Sequence, residues 1–227
     1  MIKDYMQKAG AYLAFWNDLT EEDKNKLNKS AKLLTGKKGS LLHGGLTDCS
    51  GIIITLSGSL RSYILSEEGR EVTLYRLKKG DVCVFSASCI LKNIDFDIFI
   101  SSETSYEAVL LNTNDFEEIK NKNKNAQQFI NDIISKRFSD VMWTIEKILF
   151  LSMDKRLALY ILEQAELSKS NTIKQTHEEI AKSTGSAREV VTRMLNYFAE
   201  EGYVNLSRGS ITILDKESLE SITKNTK

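Results

Sequence analysis

Hydrophobic and polar residues follow different periods in successive parts of the chain. Residues 1–34 are amphipathic at helical spacing, and Thr20-Glu21-Glu22-Asp23 has the form of a helix start. From about Ala31 to Leu111, short β-rich runs alternate with glycine-containing turn clusters, and helical periodicity then returns. This order predicts an α+β protein with a β jelly roll near its N-terminus. The predicted strands are Gly51–Leu56, Leu60–Leu65, Glu71–Leu77, Asp81–Phe85, Asp95–Ile100 and Ser105–Leu111.

The longest helical pattern covers Ala126–Leu151 and follows a polar break at residues 120–125. Before the break, Thr113-Asn114-Asp115 is a candidate start for a short helix. Five apolar residues of the long helix repeat at coiled-coil spacing, namely Ile134, Phe138, Val141, Ile145 and Ile148. Such a helix is either buried within one chain or paired with a second copy. We expect pairing through this seam, with another face of the helix packed on the roll.

The stretch Thr176–Phe198 has the pattern of a helix-turn-helix. Thr176 with Glu179, and Ser186 with Glu189, each match a capping box that starts a helix. Gly185 stands where a tight turn between two helices needs a left-handed residue. After this stretch, residues 202–214 form two β-runs around a glycine, which predicts a small hairpin or wing, and a short tail helix follows.

The second helix of this motif has an apolar stripe and a polar face. Arg188, Glu189, Thr192 and Arg193 lie off the stripe near the helix start, where a recognition helix contacts base edges. A guanidinium group fits the O6 and N7 atoms of guanine, whereas the alternative is a solvated charged face with i,i+4 pairing. The two predicted capping boxes, the turn glycine and the wing favour base reading.

Composition supports an ordinary globular protein. The chain has 227 residues, of which 41% are hydrophobic and 27% charged. Its 31 basic and 31 acidic residues balance, so the total charge does not favour nucleic-acid binding and the motif alone supports it. No apolar run is long enough for a membrane span, and three cysteines match no disulfide framework, which favours a reducing cytoplasm.

Over nearly its whole length the chain resembles the Crp/Fnr family of bacterial transcription regulators. SGSLRSYILSEEGREVTLYRLKKGDVCVF is similar to the family's roll core, and the run from Arg188 to Arg193 matches its R-E-x-V-x-R pattern. The resemblance implies that Arg188 and Arg193 read guanines, and that Glu189 accepts a hydrogen bond from a cytosine amino group. The DNA-contact residues that we predict are Arg188, Glu189, Thr192, Arg193, Thr176, Ser186 and Arg208, with Arg208 at the phosphate backbone.

The resemblance also implies a division into domains. Residues 1–125 would be N-terminal helices and a cyclic-nucleotide-binding-like sensor roll, residues 126–153 a long dimerisation helix, and residues 154–227 a winged helix-turn-helix that binds DNA.

The ligands known for the family fit this chain poorly. Its cyclic-nucleotide members hold the phosphate with an arginine after the Gly-Asp hairpin, but no arginine lies between Arg76 and Arg137, so cyclic AMP is not expected. Its iron–sulfur members use four cysteines, whereas this chain has three. Haem lacks support because His43, the one histidine of the sensor half, is interpreted as a loop residue. We expect no metal site, and the cofactor stays unassigned.

The segment Cys83–Cys89 stands in the place of the missing phosphate cassette. One interpretation is that its cysteines are small buried hydrophobic residues. The other is that Cys83, Ser86, Ser88 and Cys89 line an effector pocket or sense oxidants or reactive nitrogen species.

These patterns lead to one main hypothesis and two alternatives. The main hypothesis is a cytoplasmic, homodimeric regulator that binds a palindromic site in double-stranded DNA, contacts RNA polymerase and responds to a small molecule or redox signal. The first alternative is an effector-independent transcription factor with a vestigial roll. The second is a cupin-like enzyme, which the single histidine of the roll argues against.

Overall fold

The computed structural model describes residues 3–44, 51–84 and 97–224. The chain divides into two compact units. The first contains residues 1–65 and 74–141, and the second contains residues 66–73 and 142–227. The eight residues 66–73, which lie inside the β-rich half of the sequence, therefore belong to the unit formed by the C-terminal part.

The N-terminal helical part ends earlier than the sequence predicted. Helix α1 is Asp4–Gly10, a single 3₁₀ turn is Trp16–Asp18, and helix α2 is Glu21–Ser30. The predicted start at Thr20 is confirmed, because its side chain accepts a hydrogen bond from the amide of Asp23. The helix stops at Ser30 and strand β1 begins at Lys32, so the helical pattern does not continue to residue 34.

The described strands of the roll are β1 Lys32–Gly36, β2 Leu41–Gly44, β3 Ile52–Ser57, β4 Leu60–Leu65, β5 Glu71–Leu77, β6 Val82–Cys83, β7 Phe99–Ser102 and β8 Tyr106–Leu111. They form two four-stranded sheets, in the orders β1-β8-β3-β6 and β2-β7-β4-β5. Pairing is antiparallel for β1 with β8, for β3 with β8 and β6, and for β7 with β2 and β4.

The side chains of β3 alternate between two hydrophobic cores of the first unit. Successive side chains of a strand point to opposite faces. Ile52 and Ile54 pack with buried residues of the N-terminal helices, such as Met6 and Leu27. Ile53, between them, packs with Leu60 and with other residues of both sheets in the interior of the roll. Both faces of this strand are therefore buried, which accounts for its continuous apolar sequence.

Two helices follow the roll. Helix α3 is Thr113–Lys122, and its N-cap is Asn112, whose side chain accepts from the amides of Asn114 and Asp115. The cap therefore lies one residue before the predicted Thr113-Asn114-Asp115 start. Helix α4 is Lys124–Phe150, which matches the predicted long helix to within two residues.

The second unit is a winged helix-turn-helix. Its elements after α4 are α5 Met153–Ser168, β9 Thr172–Ile173, α6 His177–Thr184, α7 Arg188–Glu200, β10 Val204–Ser207, β11 Ser210–Ile213 and α8 Lys216–Lys224. Its core combines apolar residues from each of these elements, including Leu157, Ile180, Val191 and Leu195. Strand β9 pairs with β11, and β11 pairs with β10, so the predicted hairpin is part of a three-stranded sheet.

Candidate nucleic-acid interface

Helix α6 begins and ends as the sequence predicts. Thr176 accepts a hydrogen bond from the amide of Glu179, and the Glu179 carboxylate accepts one from the amide of Thr176 at 2.8 Å, which completes a capping box. The helix ends at Thr184, and its C-cap, Gly185, adopts the left-handed conformation with φ 63°. A residue without Cβ adopts this conformation at little cost, so the chain can turn at once towards α7.

The start of α7 differs from the prediction. The N-cap is Ala187, which has no side chain to cap the helix, so Ser186 and Glu189 do not form a capping box. Ser186 instead completes the preceding turn, where its amide donates to the carbonyl of Ala181 at 3.0 Å. Because this turn takes up Ser186, the helix begins one residue later than the serine pattern indicated.

The two faces of α7 have opposite character. Val191, Leu195 and Phe198 are fully buried in the core of the second unit. Arg188, Glu189 and Arg193 are exposed, and Thr192 is half-buried beside them. The four residues predicted to read bases therefore share the polar face of one amphipathic helix.

This polar face is longer than the sequence interpretation stated. Seven residues line one open concave surface along α7, namely Arg188, Glu189, Thr192, Arg193, Asn196, Tyr197 and Glu200. We refer to these residues as the reading face. Asn196, Tyr197 and Glu200 were not among the predicted contacts, although they continue the same helical spacing by one and two further turns. Tyr197 is 46% exposed and adds an aromatic surface to a row of charged groups.

His177, at the first position of α6, contacts this face. Its Nδ1 atom lies 2.9 Å from the Oγ1 atom of Thr192. Burial lowers the pKa of the His177 imidazole, and the positive charge of Arg188 lowers it further. His177 was not a predicted site residue, because sequence spacing does not show that the start of α6 meets the second turn of α7.

The other predicted DNA-contact residues lie outside α7. The hydroxyl of Thr176 is engaged in the cap of α6, and Ser186 is half-buried in the turn. Arg208 is exposed in the turn between β10 and β11, next to Gly209 with φ 73°. The hairpin thus presents one guanidinium group at its tip.

Residues 66–73 support the turn of the helix-turn-helix within the second unit. Arg70 donates a hydrogen bond to the carbonyl of Gly185. The hydroxyl of Thr73 donates to the carbonyl of Lys182 at 3.0 Å, and the ammonium group of Lys182 pairs with Glu71 at 2.9 Å. Carbonyl groups at the end of α6, which the helix itself leaves without partners, are thereby satisfied.

In the first unit, the residues near the predicted effector segment form a buried cluster. Cys83 is fully buried, with its Sγ atom 3.7 Å from the hydroxyl of Tyr75. The guanidinium group of Arg137, on α4, lies 4.7 Å from the centre of the Tyr75 ring. It also pairs with Asp81 at 3.1 Å and with Asp140 at 3.0 Å. Ser86, Ser88 and Cys89 lie outside the described residues.

His43 lies in strand β2 and not in a loop, and it is only 2% exposed. Among the described residues, no group of three or more histidine, cysteine, aspartate or glutamate side chains is arranged to hold a metal ion. Within the same residues, no helix has the length and apolar character needed to cross a membrane.

Helix α4 has an apolar face that is exposed in the single chain. Of the five predicted seam residues, Phe138 and Ile145 are exposed, whereas Ile134, Val141 and Ile148 are half-buried. The exposed apolar residues form a stripe rotated slightly from the predicted seam. We refer to Phe138, Met142, Ile145 and Leu149 as the exposed stripe, in which Phe138 is 65% and Leu149 68% exposed.

Comparison with known proteins agrees with this architecture. Residues 155–222 match the model of the Crp-like helix-turn-helix domain. A solved structure from Eubacterium rectale ATCC 33656, described as a transcriptional regulator of the Crp/Fnr family, is 43% identical, with a TM-score of 0.89. The similarity covers 95% of this chain and 100% of that one.

Two curated relatives are more distant. The transcriptional regulator SdrP of Thermus thermophilus is 26% identical over 74% of this chain and 82% of its own length. The cAMP-activated global transcriptional regulator CRP of Salmonella typhimurium is 21% identical over 78% of this chain and 86% of its own length. With the near-complete match at 43% identity, these similarities establish that the chain belongs to the Crp/Fnr family of transcription regulators.

Proposed function

We propose that this regulator binds a palindromic DNA site as a homodimer and reads its bases with the reading face of α7. The observation that best supports the proposal is the position of Arg188, Glu189 and Arg193, exposed together opposite the buried face of the helix. Arginine forks match guanine O6 and N7, and a carboxylate accepts from the amino group of cytosine. Thr176, Ser186 and Arg208 would contact the backbone around them.

Because the charge of the whole chain is balanced, affinity for DNA depends on where individual basic side chains lie. With 31 basic and 31 acidic residues, the protein carries no net positive charge that would draw it to DNA. Affinity must come from a few cations placed against phosphates and bases, and Arg208 at the tip of the hairpin is suited to a phosphate.

A homodimer accounts for the exposed stripe of α4. Two copies paired along Phe138, Met142, Ile145 and Leu149 would bury four large apolar side chains that one chain leaves in water. A two-fold axis also presents two recognition helices to half-sites about 34–36 Å apart, which is the spacing that a palindrome requires.

We further propose that the first unit senses a small molecule or a redox signal. Arg137 supports this, because one side chain of α4 contacts both Asp81 and Tyr75 of the roll, next to Cys83. A ligand or oxidant that moved this cluster would change the position of α4 and so the pairing of two copies. The relative in Salmonella typhimurium is activated by cyclic AMP, but the missing arginine of this chain favours another ligand.

The remaining assignments complete the proposal. The sensor, the dimerisation helix and the DNA-binding part would divide near residues 125 and 153. The protein would act in the cytoplasm, where it would meet both DNA and RNA polymerase, and it would have no catalytic activity. The alternative of a vestigial roll is distinguished by measuring DNA binding with candidate effectors, haem and thiol oxidants. Equal binding under every condition would favour that alternative.

Two arginine variants test base reading. A preferred site is first selected from random DNA with the wild-type protein, and Arg193→Ala is then compared with Arg208→Ala. Loss of one bidentate contact to guanine in each half-site should lower the affinity of Arg193→Ala for the selected site by about 10- to 100-fold per half-site. Its binding to unrelated DNA should change much less.

Arg208→Ala is the matched control, since it also removes one exposed guanidinium group from the same unit. It should weaken binding to all sequences alike and reduce the slope of log K against log salt by about 1.8, which is about 0.9 for each of the two subunits. If Arg193→Ala kept the sequence preference of the wild type, the reading face would not be the site of recognition.

A further inference from the structure

The hydrogen bond between His177 and Thr192 joins the two helices of the motif at the reading face. His177 is the first residue of α6, and Thr192 lies one turn into α7, between Arg188 and Arg193 along the concave surface. Their Nδ1 and Oγ1 atoms are 2.9 Å apart, and both side chains are half-buried. This contact holds whichever of the two atoms supplies the proton.

A threonine on a helix needs such a contact to present one fixed surface. Its side chain divides between two χ1 rotamers, and a change of rotamer moves the hydroxyl and the methyl group to new positions. A hydrogen bond of about 1 kcal/mol is enough to favour one rotamer about fivefold. The two groups also recognise different chemistry, because a hydroxyl bonds to several base edges whereas a methyl group contacts the methyl of thymine.

We propose that His177 is a positioning residue for base recognition. It holds the hydroxyl of Thr192 towards α6, so that Thr192 presents a single, fixed group to one base pair of each half-site. This proposal rests on the proposed function, because it requires that the reading face contacts bases. His177 acts through Thr192, and its effect is on discrimination between sequences and not on general affinity for DNA.

The test compares His177→Asn with His177→Leu. The two replacement side chains have the same branching, but asparagine has polar atoms at the δ position, where Nδ1 of histidine lies, and leucine has methyl groups. Dissociation constants are measured for the selected site and for every single base-pair change within one half-site. Circular dichroism and thermal unfolding show whether each variant is folded.

We expect His177→Leu to lower discrimination about fivefold at one base pair, with unrelated DNA bound within twofold of the wild type. His177→Asn should restore most of that discrimination. Thr192→Val removes the hydroxyl but keeps the shape of the side chain, so His177→Leu should have no further effect in that background.

Three results would overturn the proposal. One is a His177→Leu variant that discriminates between sequences as well as the wild type does, while the wild type selects a site. That result would contradict the role of His177 but not base reading by α7. Another is an equal loss of affinity for every sequence in both variants, as expected if His177 itself contacted phosphate. The third is a wild-type protein that selects no site at all, which would refute the proposed function together with this inference.

Discussion

At the residue scale, the turn between α6 and α7 depends on the absence of one side chain. A Cβ atom added to Gly185 would lie 2.9 Å from the Cδ1 atom of Ile148 and 3.7 Å from the Cγ1 atom of Val72. In addition, Gly185 has a φ of 63°, which is a left-handed conformation. Residues with a Cβ adopt this conformation only at a cost of about 1–2 kcal/mol. Gly209 has a similar φ of 73° but nothing within 4 Å of the added atom.

A comparison of these two glycines distinguishes the cost of a left-handed backbone from the cost of a steric clash. Gly185→Ala should lower the free energy of unfolding by about 1 kcal/mol more than Gly209→Ala, because only the first adds a steric clash to the left-handed strain. Denaturant unfolding of the two variants measures the difference. Equal losses would mean that Ile148 moves aside without cost.

Protonation of His177 should make the stability of the protein depend on pH. Burial, and then the charge of Arg188, hold the pKa of the folded imidazole below the value of about 6.5 expected in the unfolded chain. Between these two pKa values the unfolded state binds more protons, so the contribution of His177 to stability is present above pH 6.5 and declines as the pH falls.

The free energy of unfolding of the wild type should therefore decrease relative to that of His177→Asn when the pH is lowered from 7.5 to 5.5. Chemical denaturation at a series of pH values provides the measurement. A constant difference between the two proteins would show that the histidine titrates alike in the folded and unfolded states.

Residue-scale details were predicted where the local sequence determines them. Thr176 with Glu179 forms the expected capping box, because both partners lie within one helical turn. Ser186 with Glu189 has the same spacing and does not, since the amide of Ser186 is bonded to Ala181 across the turn. The contact of His177 with Thr192 was missed for a related reason, because it depends on how two helices pack.

At the element scale, α4 combines a buried side with an apolar side left in water. Arg137 and Ile130 are buried, whereas Phe138, Met142 and Leu149 are exposed. The heptad pattern predicted the existence of an apolar seam. It did not predict that the exposed residues lie slightly to one side of this seam around the helix. Periodicity alone does not show which side of an apolar stripe packs within the chain.

Phe138→Glu should prevent the proposed pairing of two copies, since it places a carboxylate within the exposed stripe that the dimer would bury. Sedimentation analysis should show a monomer, with weaker binding to a full palindrome than the wild type. Ser139→Glu is the control, because it adds the same charge about 100° round the helix at an exposed polar position. A Phe138→Glu protein that remained dimeric would place the interface elsewhere.

The strands were predicted best where each has a continuous pattern and clear turns. Strands β4 and β5 have the predicted bounds, Leu60–Leu65 and Glu71–Leu77. Strand β9 was missed, because its two residues, Thr172 and Ile173, are too few to show a period. It becomes a strand only by pairing with β11, which is a long-range contact.

At the scale of the whole molecule, the order of elements and the family were predictable, whereas the grouping of residues into units was not. Composition and period indicate which segments are helices and strands. They contain no signal that residues 66–73, which connect β4 to β5 and include the first three residues of β5, join the unit of the helix-turn-helix. That grouping depends on contacts such as those of Glu71 and Thr73 with Lys182.

This shared unit limits how the protein can be recombined. A chimaera that fused residues 142–227 to an unrelated sensor would omit the hydrogen bonds that Arg70 and Thr73 donate to the end of α6. Helix α7 follows that turn directly, so a graft without these eight residues would inherit the side chains proposed to contact bases and lose part of their support. On the proposed function, exchange of DNA specificity would therefore require substitution within α7, or transfer of two separate segments of the chain together.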